Sequence, residues 1–144
     1  ARQAARSNSI MAWQARWDAE HRGRWTARLI SRLDTWVERD CGEVDYFLTQ
    51  FLSGHGQFRA YLHKMGKVAG SACAHCDSPR DDAHHTFFHC GRWGAARGQL
   101  EERLGRITPD NIIGLMLASP GNWSRVACYV RAIITEKKRI EEGR

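Results

Sequence analysis

Cysteine and histidine side chains are concentrated in one short segment, residues 73–90, in the pattern C-x2-C-x8-H-x4-C. Two cysteines separated by two residues can bind one ion from a single turn. A histidine and a cysteine five positions apart can close the coordination from a second short element. Zn²⁺ prefers thiolate and imidazole ligands in four-coordinate, tetrahedral geometry. The pattern therefore predicts one zinc ion with the ligands Cys73, Cys76, His85 and Cys90.

The identity of the histidine ligand is a separate question, because four histidines lie in this segment. His75 lies between two of the cysteines and His89 adjoins Cys90, and neither spacing closes a chelate ring comfortably. His84 and His85 remain as alternatives, and we favour His85. Three thiolates and one neutral imidazole fill the tetrahedron, so we expect a structural ion with no open position for a substrate.

Aromatic and acidic residues surround the predicted ligands. Phe87 and Phe88 are predicted to pack the site against helices; the alternative is that one of them stacks on a nucleic-acid base. Pro79 with Asp81 and Asp82 forms a turn in the loop. The two carboxylates are expected to orient ligand imidazoles by hydrogen bonds.

Hydrophobic residues recur at helical spacing on both sides of the metal segment. The predicted helices cover residues 7–22, 26–39, 43–52, 57–65, 93–104, 108–119 and 123–142. Thr108 followed by Pro109 is a favourable helix start, and Asn122 is predicted to cap the last helix. The mixed-charge tail from residue 136 is expected to fray.

The pattern predicts an all-α fold, a small helical domain with one embedded CCHC zinc knuckle. Residues 12–144 are expected to form a single helical domain that contains the knuckle at 71–92, and residues 1–11 an N-terminal extension or linker. No strand is predicted outside the metal loop. The sequence has no run of 18 or more apolar residues, so no membrane span is expected.

Composition and charge favour an acidic partner in a reducing compartment. The 144 residues carry a formal net charge of +6 at pH 7, which favours nucleic acid. Five cysteines, three of them clustered, indicate a metal site in a reducing compartment instead of a disulfide framework. Cys128, in an apolar helical pattern, is predicted to be a core residue.

Basic side chains on both sides of the predicted zinc site are candidates for phosphate contacts. They fall on the fourth predicted helix, just after it, and beside the metal loop: Arg59, His63, Lys64, Lys67, Arg92 and Arg97. The alternative is an ordinary solvated helix face.

Two other classes of function compete with nucleic-acid binding. Six tryptophans in a short chain are compatible with a protein-interaction or scaffolding surface. An enzyme is the third possibility, suggested by His55 between two glycines. However, no carboxylate pair, phosphate-binding glycine loop or open metal position is evident, so we expect no catalysis and interpret His55 as a turn residue.

Several strings along the sequence together resemble a known family. The first are Trp13-Gln-Ala-Arg-Trp17, Gly23-Arg-Trp-Thr26 and Leu29-Ile30. The next are Leu48-Thr-Gln50 and Leu52-Ser-Gly-His-Gly56-x-Phe58-x-x-Tyr61-Leu62. The last are Asp82-Ala83, His85-Thr86-x-Phe88-x-Cys90, Trp93, Thr108-Pro-Asp-Asn111 and Asn122-Trp123. From about residue 12 onward, the chain resembles the region behind the polymerase domain of insect non-LTR (LINE-type) retrotransposons.

The resemblance implies the C-terminal CCHC region of a reverse transcriptase polyprotein. The parent would be an RNA-directed DNA polymerase that performs target-primed reverse transcription at a nicked chromosomal site. The implied partners are RNA, target DNA or both, and the rest of the polyprotein, with no small-molecule substrate. The implied location is a ribonucleoprotein of the nucleus and cytoplasm.

The family pattern also bears on single residues. It has an acidic residue where His84 stands, which supports His85 as the ligand. The sequence departs from the pattern at Gln57, where cysteine is common, and at Ser31, where proline often follows Leu-Ile. Neither departure involves the four predicted ligands.

Overall fold

The computed structural model describes residues 2–144, with side chains from residue 4 onward. The helices are α1 (Arg2–Ala19), α2 (Arg24–Leu29), α3 (Leu33–Val37), α4 (Tyr46–Ser53), α5 (Arg59–Lys64), α6 (Ala83–Phe88), α7 (Gly94–Leu104), α8 (Ile112–Leu117) and α9 (Pro120–Glu142), with a 3₁₀ turn at Gly91–Trp93 before α7. This described part of the chain contains no strand. The prediction of an all-α fold is therefore confirmed.

Helix α9 is the centre of the core, and it packs against α4, α7 and α8. Its apolar stripe is almost completely buried at Val126, Val130, Ile133 and Ile134. The helix begins earlier than predicted, since Pro120 occupies its first turn. Pro fits there because the first turn has backbone N–H groups without helical partners.

The predicted cap of α9 was wrong. Ser119 caps the helix, and its Oγ accepts a hydrogen bond of 3.0 Å from the backbone N–H of Asn122. The side chain of Asn122 donates instead to the carbonyl of Leu115 in α8. The end of α9 at Glu142 agrees with the predicted end of the last helix.

The single helix predicted for residues 26–39 is two helices, α2 and α3. Ile30 leaves the helical conformation at φ −105° and ψ 74°. Tertiary hydrogen bonds stabilise the break: the indole N–H of Trp17 donates to the carbonyl of Ile30 at 2.8 Å, and Gln14 donates to the carbonyl of Ser31. These partners come from α1, so the local sequence pattern does not reveal them.

Helix α1 runs through residues 11 and 12, and the division of the chain at that point remains a prediction. Ile10 is buried against the rest of the molecule, whereas Met11 and Trp13 are 70% and 50% exposed. No helix among residues 2–144 is both long and apolar enough to cross a membrane.

Candidate metal centre

Three sulfurs and one imidazole nitrogen converge at one point of the structure. The donor atoms, which all lie within 4.8 Å of one another, belong to Cys73, Cys76, His85 and Cys90. The Cys90 sulfur lies 3.9 Å from each of the other two sulfurs. With a Zn–S bond of about 2.3 Å, a tetrahedral site has sulfurs about 3.8 Å apart. The donor set therefore fits a tetrahedral Zn²⁺ ion, and the spacing is far too long for a disulfide.

A tight turn presents the first two sulfurs. The backbone N–H of His75 donates to the Cys73 sulfur at 3.4 Å, and the N–H of Ser78 donates to the Cys76 sulfur at 3.5 Å. The turn is closed by a 3.0 Å hydrogen bond from the N–H of Cys73 to the carbonyl of Ser78. N–H groups that point at sulfur favour the thiolate form, which is the form that binds a metal.

Helix α6 and the turn after it present the other two donors. Asp82 caps α6, and its carboxylate accepts a 2.8 Å hydrogen bond from the N–H of His85. The backbone N–H of Cys90 donates a 2.7 Å hydrogen bond to the carbonyl of His85. Arg97 on α7 holds the same turn, because its guanidinium donates twice to the carbonyl of Cys90, at 2.7 and 3.1 Å.

The structure brings His85, not His84, to the cysteines. The Nε2 of His85 lies 3.2 Å from the Cys76 sulfur. The ring of His84 stacks on Trp25, with centroids 5.4 Å apart, and its Nε2 lies 3.2 Å from that of His89. His85 is therefore the histidine placed to bind the ion.

The two loop carboxylates accept hydrogen bonds from backbone N–H groups and from the side chains of Lys137, Arg80 and Thr86, not from an imidazole as we expected. The Asp81 carboxylate is 1% exposed and accepts hydrogen bonds from Lys137 at 2.8 and 2.9 Å. It also accepts from the hydroxyl of Thr86 and the N–H of Arg59. Asp81 thus joins the metal loop to α5, α6 and α9.

Phe87 and Phe88 are both buried and pack against α4. The Phe87 ring meets Phe51 edge to face with centroids 5.0 Å apart, and the Phe88 ring lies 6.3 Å from Phe51. This burial corresponds to the packing interpretation, and it leaves neither ring free to stack on a base.

Burial sets the protonation of the donors. It raises the pKa of the Cys73 thiol to about 12 and also raises the pKa of Cys90. It lowers the pKa of His85 below the usual 6.5, so the imidazole is neutral at pH 7. Without a metal, the thiols of Cys73 and Cys90 are therefore protonated at neutral pH, and a zinc ion must displace those protons.

Zinc affinity is consequently expected to rise with pH. Protons and Zn²⁺ compete for the same sulfurs below the thiol pKa, so each proton displaced adds about one log unit of affinity per pH unit. Three cysteine thiols must lose a proton to bind the ion, so the slope is about three. The slope is measured by competition with a chelator between about pH 6 and pH 8. A pH-independent affinity would contradict this assignment of the ligands.

The six basic candidates fall into two groups. Arg59 is only 15% exposed and pairs with Glu141 at 2.7 Å, and Arg97 is engaged at Cys90. The other four have exposed side chains: His63, Lys64, Lys67 and Arg92. Arg92 lies over the ring of Trp93 at 4.6 Å. Two of the six are thus occupied within the protein, and four face solvent.

Sequence reasoning missed Lys137 as a structural residue. A signal was available, because Lys137 continues the buried stripe of α9 at helical spacing after Ile133 and Ile134. Cys128 was assigned to the same stripe, but it is exposed. It lies between the buried positions Val126 and Val130, off the apolar face of the helix.

Comparison with known proteins finds relatives among insect retrotransposable elements. The chain is 37% identical over 133 residues to the putative 115 kDa protein in type-1 retrotransposable element R1DM of Drosophila melanogaster. It is 28% identical over 133 residues to a retrovirus-related Pol polyprotein from type-1 retrotransposable element R1 4 of Nasonia vitripennis. Each match covers 91% of this chain.

A third relative is a Pol polyprotein from element R1 2 of Nasonia vitripennis, 32% identical over 85 residues, or 59% of this chain. The chain spans only 34%, 20% and 13% of the length of the R1 4, R1 2 and R1DM relatives. No protein-family model matches the chain. No solved structure matches it either.

Proposed function

Because the chain belongs to the Pol polyproteins of R1 non-LTR retrotransposable elements, we propose that it is a zinc-stabilised helical module that binds RNA or DNA for target-primed reverse transcription. The observation that carries the proposal is the closed set of three cysteines and one histidine. With four protein donors, the ion offers no position to a substrate and acts structurally. The polymerase chemistry would belong to another part of the polyprotein.

Unpaired positive charge supports nucleic-acid binding. Lys64 and Lys67 are exposed, and neither has a carboxylate within 4.0 Å in the part of the chain that the structure describes. Such lysines attract phosphate without first losing an internal partner. Arg59 is different, because binding a phosphate would require breaking its pair with Glu141.

Replacing Lys64 and Lys67 together by Gln is expected to weaken binding of a 20-nucleotide RNA and to reduce its salt dependence. Each lost phosphate contact lowers the slope of log affinity against log salt by about 0.7 for a single strand, so the two lower it by about 1.4. Fluorescence anisotropy at several salt concentrations measures the slope.

The matched control is the double variant Arg32→Gln and Lys138→Gln. It removes the same net charge, but Arg32 is paired with Asp34 at 3.0 Å and Lys138 faces Glu142 at 4.0 Å. The control is expected to keep most of the wild-type slope. Equal losses in both double variants would show that only net charge matters, and the proposed contacts would then be wrong.

A second candidate function is docking to another part of the polyprotein. It is favoured by the exposed apolar side chains of Met11 and Trp13 on α1. Association with a protein through these residues would be nearly independent of salt, whereas binding to phosphate would weaken as salt rises. The same salt titration therefore separates the two functions.

A further inference from the structure

A groove of about 280 Å³ lies between α2, the turn that joins α4 to α5, and the start of α6. Its walls come from three separate parts of the chain, which contribute Trp25, Tyr61 and His84 among others. The groove adjoins the metal loop without including any of the four metal donors. It is therefore a second feature, distinct from the metal centre.

Stacked ring pairs line the groove. His84 stacks on Trp25 with ring planes 26° apart, and His55 stacks on Tyr61 with centroids 4.7 Å and planes 19° apart. His55 is exposed to solvent. Flat π surfaces that are already ordered are suited to stacking a further planar group, such as a nucleobase.

The groove is also positively charged. Its lining contains three cationic side chains and one carboxylate: Arg24, Lys64, Arg80 and Asp82. With neutral histidines, the lining therefore has a net charge of +2. The Asp82 carboxylate is already committed, since it accepts from the N–H of His85 and from Arg80 at 3.0 Å. Lys64 has no carboxylate within 4.0 Å among the described residues. Arg24 is partly engaged, because its guanidinium donates to the carbonyls of Trp17 at 2.7 Å and Arg22 at 3.2 Å.

We propose that this groove binds an unpaired nucleotide of a single-stranded nucleic acid. The base stacks against His55 and its neighbouring rings, and a flanking phosphate lies at Lys64. A duplex does not offer a base in this way, because its ring faces are already stacked on neighbouring bases. The inference deepens the proposed function and rests on it, because it assigns the strand form that the module recognises.

The test replaces two ring side chains of the groove and leaves its charged side chains unchanged. The double variant His55→Ala and Tyr61→Leu removes the stacked pair of exposed His55 and half-buried Tyr61. Trp25 is left unchanged, because its indole N–H donates to the carbonyl of Phe51 at 2.9 Å and supports the fold. The probes are a 12-nucleotide strand of dT, the same length of U, a strand with abasic sites at its centre, and a 12-base-pair duplex.

The wild type is expected to bind the intact strands about 5- to 150-fold more tightly than the abasic strand, the range for one stacked base. The ring variant should lose this preference and keep the wild-type salt slope. His55→Phe, which retains a ring, should keep the preference and so serves as the folding and chemistry control.

The Lys64→Gln and Lys67→Gln pair distinguishes failure of the groove from failure of the proposed function. That pair should reduce the salt slope but preserve the ratio of intact to abasic binding. If the wild type bound intact and abasic strands equally, and the lysine pair still mattered, the groove proposal would be overturned and nucleic-acid binding would stand. If no probe bound the wild type at all, both proposals would fail.

Discussion

Replacement of Cys90 by Ser is expected to abolish stoichiometric zinc binding and to unfold the loop that carries the metal donors. The Cys90 sulfur lies 3.9 Å from both other sulfurs, so together with His85 it links the Cys73–Cys76 turn to α6. A serine hydroxyl is a hard and poorly ionised substitute for a thiolate ligand. Structural zinc contributes about 10–16 kcal/mol in small zinc fingers, and most of that contribution would be lost.

The loss is expected to reach the core next to the loop. Cys73, Cys90, Phe87 and Trp93 all belong to the single buried cluster that continues into α9. Because α4 and α8 each pack on α9 independently of the loop, we expect partial loss of structure and not complete unfolding. Hydrogen exchange should show lost protection over residues 71–93 and retained protection in α9.

Zinc content, measured by native mass spectrometry, and the thermal transition with and without a chelator provide the test. Cys128→Ser is the matched control, because it makes the same chemical change at an exposed cysteine on α9. The control should retain one zinc ion and the wild-type transition. A Cys90→Ser variant that also retained one ion, with unchanged melting, would show that the four donors do not form the site.

The metal centre was predictable because its geometry is mostly local. A C-x2-C turn and a short capped helix bring their donors together with few long-range contacts. The choice between His84 and His85 as the ligand depends on where α6 begins. Asp82 fixes that start by capping the N–H of His85. Neighbouring residues on a helix point about 100° apart, so only one of the two histidines can face the sulfurs.

The roles of the charged residues were less predictable, because their partners are distant in sequence. Arg59 pairs with Glu141, which is 82 positions away, and Asp81 pairs with Lys137, which is 56 positions away. No spacing rule connects such residues. The break between α2 and α3 has the same origin, since Trp17 of α1 supplies the hydrogen bond that replaces a helical one.

Replacing Lys137 by Met is expected to destabilise the fold by about 3–5 kcal/mol, since the buried carboxylate of Asp81 would lose its counter-ion. The two side chains are only 5% and 1% exposed, so water cannot take over that role. Among the described residues, Asp81 is the only carboxylate within 4.0 Å of the Lys137 Nζ, and the Thr86 hydroxyl lies 3.4 Å from that nitrogen. Urea unfolding of the zinc-loaded protein measures the change in the free energy of unfolding.

Lys138→Met is the matched control, because Lys138 is half exposed and its Nζ lies as far as 4.0 Å from the Glu142 carboxylate. Exposed pairs contribute about 0–1 kcal/mol, so the control should be close to the wild type. The double variant Asp81→Asn and Lys137→Met should lose less stability than the sum of the single changes, since it removes both charges. Additive losses would show that the two residues act separately.

The Lys137 variant also tests how the metal loop depends on the helical core. Asp81 holds the loop to α5, α6 and α9 through contacts that do not involve the donors themselves. Lys137→Met should therefore keep one bound zinc ion while it lowers stability, whereas Cys90→Ser loses the ion. Two independent interactions would then hold the loop in place, the bound metal ion and the buried ion pair. Loss of zinc in the Lys137 variant would show instead that the ion pair is required to assemble the metal site.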